Sequence, residues 1–125
     1  MRIRTVVLLS VGALAGALLR PAPAPEMVTY QMVFLVKGPV WSAEPGPDSK
    51  RIQAEHLAHL GKMHKEGKLV LAGPLTDNGR IRGLAVYKVG TTEEARRLAE
   101  ADPAVVAGRL AIEAHPWMVE KGILP

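Results

Sequence analysis

Six short segments of alternating character follow one another between Tyr30 and Ala114, and their order leaves few architectures open. Tyr30 to Val36 is apolar, rich in β-branched and aromatic residues, and stops at Gly38-Pro39, which predicts a first strand. Gly38 to Asp48 contains Pro39, Pro45, Gly46 and Pro47, the composition of a loop. Asp48 or Ser49 then stands where a cap is needed for a helix running to about Gly67, a suitable stop. Lys68 to Ala72 predicts a second strand ending at Gly73-Pro74, and Asp77-Asn78-Gly79 supplies turn chemistry before a third, Ile81 to Val89. Thr91 or Thr92 caps a second helix that reaches about Ala101, with Glu93 and Glu94 in its first turn. Leu110 to Ala114 is a last strand leading into His115-Pro116-Trp117. The order β-α-β-β-α-β is the ferredoxin-like α+β arrangement, with two helices on one face of an antiparallel sheet.

Two helices can cover only one face of that sheet. The first strand nevertheless places Tyr30, Met32, Phe34 and Val36 on one side and Val33 and Leu35 on the other, so both faces are apolar. An apolar sheet face of this size is normally buried by a partner, and a homodimer formed through the sheets is the simplest expectation.

The first 25 residues differ from the rest. Arg2 and Arg4 precede an apolar run from Thr5 to Leu19, and Arg20 to Pro25 is a Pro/Ala-rich exit, the order of a secretory signal. The run is shorter than the roughly 20 residues that cross a bilayer as a helix. Residues 1–25 are therefore expected to direct export to the periplasm or beyond, with an uncleaved membrane anchor as the alternative, and residues 26–125 to form the domain. The chain has no cysteine, which excludes disulfides, a lipoprotein anchor and thiol nucleophiles. Its net charge of +4 belongs largely to the leader, which holds Arg2, Arg4 and Arg20 and no acidic residue; the remainder carries 13 basic against 12 acidic side chains. With no basic run and no interleaved aromatics, nucleic-acid binding is not expected.

The stretch Glu55-His56-Leu57-Ala58-His59-Leu60, then His64 to Leu75 with Gly67, Gly73 and Pro74, then Thr92 to Ala95, Ala101-Asp102-Pro103, Ala107-Gly108 and His115-Pro116-Trp117, resembles the YCII-related (YciI-like) proteins in order and spacing. The resemblance implies a dimeric α+β barrel in which two ferredoxin-like sheets face each other. It also implies a site built on a helix histidine and the aspartate of an Asp-Pro motif, which fall on His56 and Asp102. Some members are associated with lyase-type elimination, although activities across the family are poorly defined.

The residues themselves bear on that implication. Histidine is the side chain best suited to move protons near neutral pH, and a carboxylate on its second nitrogen fixes the tautomer. With Leu60 as the centre of the helix's apolar arc, His56 and His64 face inward and His59 sits at the rim. Inward histidines are also common as satisfied core residues, His64 suits a helix C-terminus, and Asp102 before Pro103 is a helix N-cap pattern. His56, His59, His64 and His115 form no recognised metal motif, so neither metal nor cofactor is expected. Tyr30, Trp41 and Tyr87 are candidates to wall an apolar pocket, with Trp41 as its lid. The expected function is proton transfer by His56 and Asp102 on a small cyclic or aromatic molecule; the alternative is a non-catalytic ligand-binding or structural homodimer.

Overall fold

The computed structural model describes residues 10–12, 16 and 20–125, so most of the expected leader lies outside the described residues. No helix among them is long and apolar enough to cross a membrane. The elements are β1 (Met27–Lys37), α1 (Pro47–Lys65), β2 (Leu69–Pro74), β3 (Ile81–Tyr87), α2 (Thr92–Glu100), α3 (Pro103–Val106) and β4 (Leu110–Glu120). The strands form one antiparallel sheet in the order β2-β3-β1-β4. This is the α+β, ferredoxin-like arrangement expected from the order of the segments.

Local chemistry explains most of the boundaries. Gly46, not Asp48 or Ser49, is the N-cap of α1, and Pro47 occupies the first turn, where its missing N–H costs nothing. Ser49 reaches back instead: its Oγ accepts from the Gly46 N–H at 2.7 Å and donates to the Gly46 carbonyl at 2.8 Å. Gly67 closes the helix at φ 73, a conformation only glycine adopts cheaply. There the Gly67 and Lys68 N–H groups cap the carbonyls of His64 and Met63 at 3.0 Å. Thr91 caps α2 by accepting from the Glu94 N–H at 3.1 Å.

Strand β4 does not stop at Ala114. It continues to Glu120, pairing with β1 along its whole length from Lys37↔Leu110 to Met27↔Glu120, with Pro116 opposite Gln31. A proline fits here because β4 is an edge strand and need not offer every N–H to a neighbour.

Val33, Leu35, Leu69, Ala85, Tyr87, Leu110 and Ala114 from the sheet meet Met63 of α1, Leu98 and the alanines Ala95 and Ala99 of α2, and Ala104 of α3. The alanines let the helices settle close to the strands, and burial of each large apolar side chain contributes about 1.5–3 kcal/mol. On the opposite sheet face Met32, Phe34 and Leu84 are half-buried while Leu71 and Trp117 are exposed. Where β1 leaves the sheet, Gly38 donates to the Arg109 carbonyl at 2.9 Å and Val40 to the Gly108 carbonyl at 3.0 Å. This crossing ties the Pro-rich loop, and Trp41 within it, to the start of β4.

Candidate active site

The buried stripe of α1 runs through Ile52, His56, Leu60 and Met63, with His59 half-buried beside it. At 100° per residue this stripe is centred about 60° from Leu60 on the His59 side. His56 therefore points inward as expected. His64 does not: it lies on the far side of Leu60 and is exposed, which corrects the inward placement. His59 is held between helices, its Nε2 bonded to the Leu98 carbonyl at 2.9 Å.

His56 meets Asp102 across 46 residues of sequence: Nδ1 donates to Oδ2 at 2.5 Å. The other oxygen, Oδ1, accepts the Ala104 N–H at 2.9 Å and caps α3. Asp102 thus performs both roles that its Asp-Pro context allows, one with each oxygen. It is 1% exposed and His56 8%. An enclosed carboxylate is tolerable only with such partners, because an ion removed from water without them is very costly. Since a carboxylate can only accept, Nδ1 carries the ring proton and the lone pair of the neutral imidazole sits on Nε2. Tyr87 lies close enough to feel the same charge. Burial, reinforced by Asp102, pushes its phenol up to about 12.

His56 forms part of the wall of a cavity of about 320 Å3. Leu35, Leu57, Leu60 and Leu110 supply apolar walls, and Trp41, Arg82 and Arg109 line the same space. An enclosure of this size, mostly apolar with a few convergent polar groups, suits a small organic molecule. Of the aromatic residues expected to wall a pocket, Trp41 lines the cavity. Tyr87 is instead enclosed in the core, and Tyr30 is buried on the opposite face of β1. His115 also faces away from this cavity, edge-on to Phe34 at 5.9 Å between ring centroids. Among the described residues no group of three His, Cys, Asp or Glu side chains is placed to hold a metal ion.

The two arginines were not legible as site residues in the sequence. Arg82 offered one signal, a lone charge inside the otherwise apolar strand Ile81–Tyr87. Arg109 offered none, since it precedes β4 in an ordinary turn context.

A family model for the YCII-related domain matches residues 33–117. The chain belongs to the YCII-related family. The matched span of this YCII-related protein runs from Val33 in β1 to Trp117 in β4 and includes His56, Asp102, Trp41, Arg82 and Arg109. Among solved structures, it is similar to the 5-chloro-2-hydroxyhydroquinone dehydrochlorinase TftG from Burkholderia phenoliruptrix AC1100, in complex with 2,5-dihydroxybenzoquinone. That likeness has 22% identity and a TM-score of 0.48, over 72% of this chain and 93% of TftG. No curated protein matches the chain.

Proposed function

We propose that this YCII-related protein is a small enzyme of the lyase or isomerase type, in which His56 moves a proton on a cyclic or aromatic molecule held in the cavity. The observation that carries the reading is the His56–Asp102 bond at 2.5 Å, buried at the cavity wall. In the neutral ring Nε2 is the basic atom, and Asp102 keeps the ring from turning or exchanging tautomers. When Nε2 takes a proton from the bound molecule, the imidazolium that forms stands beside a carboxylate already in place. The electron pair left on the molecule either shifts to expel a leaving group, which is elimination, or is reprotonated elsewhere by the same imidazolium, which is isomerisation. A positioned acid or base of this kind contributes about 10²–10⁴-fold to a rate.

The test is proton exchange. Small cyclic and aromatic carbon acids are incubated with the protein in D2O and followed by proton NMR, comparing wild type with His56→Ala and confirming the fold by circular dichroism. Exchange or turnover that falls at least a hundredfold in the folded variant supports the reading. Undiminished exchange in His56→Ala, or saturable binding with no exchange across the panel, would replace it with a non-catalytic ligand-binding protein.

A further inference from the structure

Arg82 in β3 and Arg109, just before β4, approach one cavity and lie over one indole. Their guanidinium carbons lie 4.8 Å and 4.6 Å from the centroid of the Trp41 ring. Arg109 is anchored by a bond from Nη1 to the Ser42 carbonyl at 2.9 Å, and Arg82 by a longer one to the Gly79 carbonyl at 3.3 Å. The Nε of Arg82 is buried without a hydrogen-bond partner, the single side-chain atom of that kind among the described residues. Neither arginine forms an ion pair with a carboxylate among those residues. Nor does any acidic side chain line the cavity, where His56 is the remaining titratable group. Asp102 stands behind the imidazole, with both oxygens occupied by His56 and Ala104.

Stacking on Trp41 accounts for where the guanidinium planes rest. It does not account for an N–H buried without an acceptor, which is costly and uncommon in folded proteins. It also leaves three like charges around one ring, with Lys37 Nζ 5.8 Å from the same centroid, beside a mostly apolar cavity. Nε itself is closed off, so a planar oxyanion in that space would meet the outward N–H groups of the two guanidiniums, matching the fork geometry for which arginine is suited.

We infer that Arg82 and Arg109, braced by Trp41, form a subsite for the carboxylate of a small cyclic or aromatic acid. This inference rests on the reading of the cavity as the reaction site and names the class of molecule that enters it. A carboxylate clamped at the arginines leaves the ring of the acid against the leucine walls, with His56 at the same wall. The arginines position the molecule, and the proton is handled by the imidazole.

The probes are benzoate and its uncharged analogue benzamide. The full chain carries Trp117→Phe, so that Trp41 is the one fluorescent indole, and ligand is titrated by its emission. Benzoate should give a saturable change that weakens as salt is raised, and benzamide should bind at least tenfold more weakly. Arg82→Gln and Arg109→Gln should each weaken benzoate at least tenfold with the fold intact by circular dichroism. Arg82→Lys, which keeps the charge and removes the guanidinium fork, should recover only part of the loss. Equal binding of the two probes, no saturable binding of benzoate, or folded arginine variants that bind benzoate as wild type does, would each overturn the subsite. His56→Gln separates the two readings: benzoate binding that persists there while no proton exchange is ever found sinks the enzyme and keeps the subsite.

Discussion

Replacement of Asp102 tests whether one carboxylate really serves both a helix and a histidine. Asp102→Ala removes the cap on α3, a loss of about 1 kcal/mol. It also leaves the His56 Nδ1–H buried without its charged acceptor, a further loss of about 1–3 kcal/mol. The expected total is therefore about 2–4 kcal/mol in stability. Asp102→Asn is the more discriminating change, because the carboxylate oxygens now serve two donors, His56 Nδ1–H at 2.5 Å and Ala104 N–H at 2.9 Å. An amide has one oxygen, which can still cap Ala104, and its NH2 can meet Nδ1 only if the His56 ring moves its proton to Nε2, so the charge-assisted bond becomes a neutral one of reversed direction. It should cost about 1 kcal/mol although asparagine is as good an N-cap as aspartate. Urea unfolding followed by circular dichroism gives these values, and a cycle with His56→Ala separates the pair from the cap. The His56–Asp102 coupling should be about 1 kcal/mol or more. Additivity of the two alanine substitutions to within about 0.3 kcal/mol, or an Asp102→Asn protein as stable as wild type, would refute the reasoning.

Tyr87 should make the fold sensitive to alkali. Its phenol is ordinarily at 10 and is pushed up to about 12 in the folded protein, so between those values the unfolded chain has released a proton that the folded one still holds. Stability then falls as pH rises through that window, by on the order of 2 kcal/mol, and Tyr87→Phe should flatten this part of a urea-midpoint-against-pH curve. Gly38→Ala should destabilise severely, by ~3 kcal/mol or more in thermal or urea unfolding, because its Cβ would fall 2.8 Å and 2.9 Å from the backbone carbons of Leu110 and Arg109. A wild-type unfolding curve for that variant would mean the strands cross less tightly than described. Sedimentation equilibrium of residues 26–125 should return twice the chain mass, as expected if the sheet face of Met32, Phe34, Leu84 and Trp117 meets a second copy; a monomer would exclude that use of the face. N-terminal sequencing of protein recovered outside the cytoplasm should begin at residue 16 or later, after one of the small-residue patterns ending at Ala15, Ala17 or Ala24, and an intact Met1 there would favour the anchor over the cleaved leader.

The fold was legible because each of its elements is punctuated by residues with a definite backbone preference: Gly38-Pro39, Gly46-Pro47, Gly67, Asp77-Asn78-Gly79 and Thr91. Errors arose where tertiary pairing overrides local signals. Pro116 reads as the end of a strand, yet β4 passes through it because an edge strand can spare one N–H. An arc centred on Leu60 turns His64 inward, whereas packing centres the buried arc nearer Met63 and His59. The His56–Asp102 contact joins residues 46 apart and leaves no mark in periodicity; the family resemblance alone implies it. Arg82 and Arg109 converge on Trp41 solely because the loop after β1 is pinned to the start of β4, a relation that no local pattern encodes.

The central claim is that Asp102 holds the His56 ring with Nε2 as the basic atom at the cavity, and nitrogen NMR of the histidine rings tests it most directly. With the histidines labelled with nitrogen-15 and the ring neutral, the account predicts a protonated Nδ1 and a bare Nε2 for His56, with that preference lost in Asp102→Asn. A His56 ring whose proton sits on Nε2, or whose tautomer is indifferent to Asp102, would contradict it.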